Sequence, residues 1–207
     1  PPVLGDQKVL LVLFGFANRG NGMDPNNARN TLFGTVNNYY KETSYNFVSL
    51  SGDTKGTINI PINHTCPTVA VQKEIIKLLD PTVDFTKYSR MIVLGPFDCG
   101  WLGIATIGKL QANTADGVVQ MSLIGQNTYN EFVTAHELGL GFGNQHASFY
   151  QCSDKPIKVS GCSRVEYGDP YDTLGGSTMG HYNAPHKEYT GWLTKGSTIL
   201  EVLANGR

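Results

Sequence analysis

Two imidazoles, a carboxylate and a glycine stand at a spacing that suits a metal ion. They are His136, Glu137, Gly143 and His146, within His136-Glu137-Leu138-Gly139-Leu140-Gly141-Phe142-Gly143-Asn144-Gln145-His146. Residues four apart lie on one helix face, so positions 136 and 140 can grip one zinc ion from the same side. Glu137 would then point at a zinc-bound water as general base. Gly143 lets the chain leave the helix with φ > 0, and His146 swings back as a further ligand. Position 140 is Leu, however, a side chain that packs but binds no metal, so two of three imidazoles remain. Loss of even an outer-shell partner lowers metal affinity by about 10–100-fold. Zinc is therefore expected to bind weakly or not at all.

A second segment, Ser177-Thr178-Met179-Gly180-His181-Tyr182-Asn183-Ala184-Pro185-His186, lies downstream. Together the two stretches resemble the metzincin clan of zinc endopeptidases, with His136, Glu137, Gly143 and His146 on the marks of the pattern H-E-x-x-H-x-x-G-x-x-H and Met179 in a Met-turn. Cys99-Gly100-Trp101-Leu102-Gly103, Tyr167-Gly168-Asp169-Pro170, Asn183-Ala184-Pro185-His186 and Gly191-Trp192-Leu193 are most similar to the gametolysin-like members. The resemblance runs from about residue 8 to 193 and departs from the pattern at Leu140.

The resemblance implies a metal site of His136 and His146 with Met179 beneath it and Glu137 as general base. It implies a zinc metalloendopeptidase that hydrolyses peptide bonds in extended protein or peptide substrates, impaired here by Leu140. His181 stands where some metzincins carry a Tyr that touches the metal or the oxyanion, and could partly replace the missing ligand. Tyr182 is a second candidate for oxyanion stabilisation. The plainer readings stay open: His181 as a turn residue on the cleft wall, Met179 as core, His186 as a cap or packing residue of a C-terminal helix, and His64 as solvent-facing. Leu140 itself is a natural loss that leaves a non-catalytic peptide- or matrix-binding homologue, an introduced change, or a site rebuilt from His181 and water. Glu137 leans against a long-idle site, which has no physical need of that carboxylate.

Whole-chain properties bound the reading. A length of 207 residues suits one catalytic domain, with an upper lobe of about 1–143 and a lower lobe of about 144–207. The net charge of −1 suggests neither nucleic acid nor an anionic membrane as partner, and the chain is expected to be monomeric. Charged residues make up only 16%, which fits a secreted, loop-rich enzyme. The four Cys permit two disulfides in three pairings. Cys152–Cys162 closes a short loop and is favoured, which leaves Cys66–Cys99. Asn63-His64-Thr65 is an N-glycosylation sequon, in keeping with secretion. The run Val9 to Ala17 is too short to span a bilayer. Asp169 and Asp172, in a Gly/Pro-rich loop, could hold calcium, with solvated carboxylates as the plainer alternative.

The elements that must position these residues follow from periodicity. Lys8 to Phe16 is a continuous apolar run and predicts a central strand buried on both faces. Helical spacing marks 28–42, 68–79 and 129–140. Strands are predicted at 46–51 and 57–62 around a turn at Gly52-Asp53-Thr54-Lys55-Gly56, and at 90–94. Val118 to Ile124 reads as a strand, which by resemblance is the antiparallel edge above the cleft, able to hold a peptide by strand addition. The stretch after Gly143 predicts an irregular lobe with a short helix near 185–190. The expected fold is α/β: a metzincin-like twisted mixed five-stranded sheet with backing helices, an active-site helix and an irregular C-terminal lobe.

Overall fold

The apolar run near the N-terminus forms β1 (Gly5–Gly15), and its side chains alternate between two cores. Val9, Leu11 and Leu13 enter one, and Leu10, Val12 and Phe14 enter the other. A strand that feeds both faces has no polar side to show, which is why its sequence lacks alternation. These relations come from a computed structural model that describes residues 2–66, 68–105, 111–153, 160–176 and 178–200. Ser177 of the turn segment lies outside them, as do residues 154–159 and 201–207 of the expected lower lobe.

The remaining strands are β2 (Val48–Asn59), β3 (Arg90–Gly95), β4 (Gly103–Ala105), β5 (Gln111–Thr114) and β6 (Gly117–Gly125). The sheet order is β2-β1-β3-β6-β4, with β5 also paired to β6. The first four of these are parallel, and β4 and β5 run antiparallel to β6. The expected mixed α/β sheet is thus present. It has six strands in five positions, because β4 and β5 share the outer edge of β6.

Two strand assignments need correction. Val118 to Ile124 lies inside β6, which is parallel to β3 and bonded along both edges. Met121, Leu123 and Ile124 are accordingly buried. The antiparallel edge is β4 with β5. The predicted turn at 52–56 is likewise absorbed into the single strand β2. Gly52 adopts φ +144°, and a Cβ there would strike the Val9 carbonyl, so the glycine permits close strand pairing rather than reversal. The extra length is taken up by a register shift between Val12 and Phe14.

Helices cover the sheet on both faces. α1 (Pro25–Asn30), a π-helical turn at Thr31–Val36 and α2 (Asn37–Thr43) form one rod, begun by Asp24, whose side chain accepts from Asn26 N–H. This rod packs on the Val9 side and α3 (Thr68–Leu79) on the Leu10 side, through Val71, Ile75, Ile76 and Leu79. α4 (Glu131–Gly141) lies on the Val9 side as well. Its N-terminus is capped by Asn130, which accepts from Val133 N–H at 2.8 Å. At the far end Arg90 of β3 donates to the Gly141 carbonyl at 2.8 Å and lies 4.5 Å above the Phe142 ring. A cation is favourable there, beside the negative end of the helix dipole.

Beyond Gly143 the chain is less irregular than expected. β7 (Phe149–Cys152) and β8 (Cys162–Val165) form a hairpin braced by Cys152–Cys162, and the Cys66–Cys99 bond is also present. α5 (Ala184–Tyr189) is capped by Asn183. Trp192, fully buried, donates its indole N–H to the Val3 carbonyl and stacks on Tyr182 at 5.3 Å. Tyr40 donates its hydroxyl to the Ala135 carbonyl at 2.7 Å. Tyr40→Phe leaves that buried carbonyl without this donor, and is expected to lower the unfolding free energy by about 1–3 kcal/mol. A urea midpoint at unchanged slope measures it, and an unmoved midpoint would contradict the role. Among the described residues no helix is long and apolar enough to cross a membrane.

Candidate metal centre

α4 carries His136 and Glu137 into a cavity of about 260 Å³, walled by Trp101, Leu102, Phe132 and Tyr167. His136 is 9% exposed, and its Nδ1–H donates to the Thr173 carbonyl at 2.9 Å. Gly143 takes φ +99°, the left-handed turn expected of it, and returns the chain toward α4. His146 then lies with its ring centroid 5.4 Å from that of His136. Its Nδ1–H donates to the Glu166 carboxylate at 2.8 Å. Both rings thus present Nε2 as the nitrogen for a ligand, each held by a partner on its other nitrogen, as metal-binding imidazoles generally are. Burial, with His146 nearby, keeps the His136 imidazole below its ordinary pKa, which preserves its lone pair at neutral pH. The His146 hydrogen bond in turn holds the Glu166 carboxyl below its usual range.

Glu137 is 5% exposed, and its Oε2 has no hydrogen-bond partner. β4 shapes its seat: a Cβ at Gly103 would fall within 2.6–2.8 Å of the carboxylate atoms. Burial pushes this carboxyl up to about 8, against a hydrogen bond from the Ala105 backbone. Folded chains therefore keep a proton that unfolded chains release between pH 4.5 and 8. Stability contributed by the neutral form is lost as pH rises through that window. Glu137→Gln, which cannot ionise, is expected to remove the decline in the metal-free chain. The gap in its favour should widen toward pH 8, by up to about 1.4 kcal/mol per pH unit. Urea midpoints at several pH values read the gap directly, and a pH-independent gap would contradict the burial.

Not every candidate reaches the imidazole pair. Tyr182 is 2% exposed; it shares a 2.9 Å hydrogen bond with Tyr40 and stacks on Trp192. It is core, and its hydroxyl is engaged with that of Tyr40. His181 pairs through Nε2 with Glu42 of α2 at 2.9 Å, with both side chains well exposed. In this arrangement it does not stand in for the missing ligand. Met179 is partly buried against the core cluster that contains Ala135, Leu138 and Leu140. Its segment is tied to His136 through Thr173, whose hydroxyl donates to the Gly180 carbonyl at 2.6 Å while its own carbonyl holds the imidazole. His186 donates from Nδ1 to Asp172 at 2.7 Å, a packing role. Asp172 also accepts from the backbone N–H groups of Leu174 and Asn183, so its oxygens serve the loop. That use, and not calcium, accounts for the buried carboxylate.

Three participants were not among the candidate site residues, although Tyr167 lies in a segment quoted for the resemblance. Glu166 lies twenty positions beyond His146 and is delivered by β8. Tyr167 lies against His146 with the rings tilted at 4.0 Å and stacks on His136 at 6.0 Å, with φ +59°, a strained value for a tyrosine. Thr173 contributes a carbonyl, which any residue has.

The fit to zinc is half complete. Two imidazoles bound through Nε2 at about 2.0–2.1 Å, on tetrahedral corners, place their ring centroids roughly 5 Å apart. The observed 5.4 Å suits two such corners. Among the described residues no group of three or more His, Cys, Asp or Glu side chains gathers as a metal site. Leu140 is 5% exposed and packs into the core. The residues present therefore do not complete a catalytic zinc site, which takes three protein ligands.

No protein-family model and no curated protein match the chain. Among solved structures it is similar to metalloproteinase-II from Bacteroides fragilis, at 16% identity and a TM-score of 0.49, over 89% of this chain and 52% of that one. It is also similar to a chain in a chaperone–substrate complex, at 13% identity and a TM-score of 0.46, over 89% and 34%. The chain spans about half and a third of those two. At these identities and scores the likeness assigns no activity.

Proposed function

We propose that this chain carries the cleft of a secreted, gametolysin-like zinc endopeptidase whose metal site lacks one ligand at Leu140. As it stands, it engages extended peptide with impaired or no hydrolysis. The observation that carries the reading is the imidazole pair: the ring centroids of His136 and His146 sit 5.4 Å apart, each ring oriented through Nδ1, beside the buried Glu137 carboxyl, whose Oε2 has no partner. A structural histidine pair has no need of the cavity that His136 shares with Glu137. β4 forms the outer edge of the sheet beside it, and such an edge can hold a peptide by strand addition. Two disulfides suit an oxidising compartment.

A second reading, a peptide- or matrix-binding homologue without chemistry, is favoured by the burial of Leu140, which is absorbed into the core. Zinc content and casein cleavage of Leu140→His against the parent separate the two. A restored chain that binds zinc yet cuts nothing favours binding. A parent that already binds zinc stoichiometrically and cuts well contradicts the impairment.

A further inference from the structure

The cavity walled by Trp101, Leu102, Phe132 and Tyr167 is apolar over most of its lining but holds two buried polar side chains. Its volume of about 260 Å³ suits one side chain. Sites for drug-sized molecules run to roughly 300–1,000 Å³. Glu137, 5% exposed, lines it with an Oε2 that has no hydrogen-bond partner. His136, 9% exposed, lines it as well. Its Nδ1–H is committed to the Thr173 carbonyl, so Nε2 is the ring nitrogen left with a lone pair to offer. Burial keeps the Glu137 carboxyl neutral at pH 7, so Oε2 has a proton to donate. A ligand that leaves neither group bare must bring an acceptor for Glu137 and a donor for His136.

Few side chains bring both to one spot. A carboxylate brings only acceptors and a buried charge, and an ammonium or guanidinium brings only donors. A trans backbone amide has its C=O and N–H on opposite edges. The two nitrogens of an imidazole also point apart. A primary carboxamide is flat and uncharged, with C=O and N–H side by side on one edge. Its amino group has two N–H bonds, so an ionised Glu137 would be satisfied as well. Glutamine, with one methylene more than asparagine, covers more of the apolar wall.

We propose, on the reading of the cleft as a peptide site, that this cavity takes a glutamine side chain of an extended peptide without any metal ion, with the carboxamide oxygen on Glu137 and the amino group on His136. The chain is then a carboxamide-selective peptide receptor. This use gives Glu137 a task in a chain where, among the described residues, no third ligand stands ready for a metal.

The test measures anisotropy in EDTA, with the unaltered chain and blocked, fluorescently labelled hexapeptides identical except for one central Gln, Glu or Met. Met is close to Gln in length but has no amide, and Glu has its shape with a charge. The Gln peptide is expected to bind at least about tenfold more tightly than either, the factor for a buried polar group left unpaired. Glu137→Met should remove that preference by weakening the Gln peptide alone, and continued binding of the Met peptide shows that the variant cavity is intact. Glu137→Gln, which keeps a donor and an acceptor at the site, should retain the preference, so the test stands even where Glu137→Met fails to fold.

A preference that survives Glu137→Met, that is lost in Glu137→Gln, or that appears only when zinc chloride replaces EDTA overturns the proposal. Equal binding of the three peptides overturns it too, while leaving the peptide cleft standing. A chain that binds none of them under either condition overturns both.

Discussion

Leu140→His is expected to raise zinc affinity by at least about 100-fold and to bring peptide-bond cleavage above background. The size of the gain follows from the difference between outer and direct ligands. Outer-shell changes alone move affinity by about 10–100-fold. Here a direct ligand is restored beside two imidazoles already oriented by Thr173 and Glu166. The substitution also has a cost. Leu140 is 5% exposed and packs with the α4 core, so an unpartnered imidazole there should destabilise the metal-free chain by about 1–3 kcal/mol. Zinc at a hundredfold excess over its dissociation constant returns about 2.7 kcal/mol. The signature is therefore a crossing: the variant melts below the parent in EDTA, and zinc raises the melting temperature of the variant much more than that of the parent. If the variant melts identically with and without zinc, the site is not a metal centre and the family reading fails.

The second large effect is on stability. Asp172→Ala is expected to lower the unfolding free energy by about 3–5 kcal/mol, a large part of the roughly 5–15 kcal/mol that holds a domain. Asp172 is almost wholly buried and accepts three hydrogen bonds, from Leu174 N–H, Asn183 N–H and His186 Nδ1–H, each at 2.7 Å. Removal leaves those donors without their acceptor. The damage should reach the imidazole pair, because the next residue, Thr173, supplies the carbonyl that orients His136. The denaturant midpoint gives the stability, and NMR of the His136 ring protons reports the orientation. A loss under about 1 kcal/mol, or an unshifted His136 ring, would show that the loop holds its shape without this carboxylate.

How far such features can be read from the chain depends on how local they are. Lys8 to Phe16 announces a strand buried on both faces, and β1 is that strand. The spacing in 68–79 announces a helix, found as α3 over the same residues. Gly143 was expected to turn with positive φ, and it does. These features depend on neighbours within a few positions. The reversal expected at Gly52 depends instead on what lies across the sheet, and the approach of Val9 made that glycine part of β2. Val118 to Ile124 reads as a strand from its own residues, but its place inside the sheet is set by β4 and β5 on its far edge.

The site divides in the same way. His136, Glu137 and His146 were legible because one helix and one turn bring them together, and chain spacing encodes that geometry. The gap at Leu140 was equally plain, since a leucine has no lone pair wherever it is placed. Tertiary structure alone decided the fates of Tyr182 and His181, one drawn into an aromatic core and the other to Glu42, because side-chain direction after a turn is set by whatever packs against it. It alone brought Glu166, Tyr167 and Thr173 to the imidazoles, from positions 20 to 37 residues away in the chain. Ligand identity is a property of residue type and local spacing, whereas orientation, burial and second partners arise only when distant segments meet.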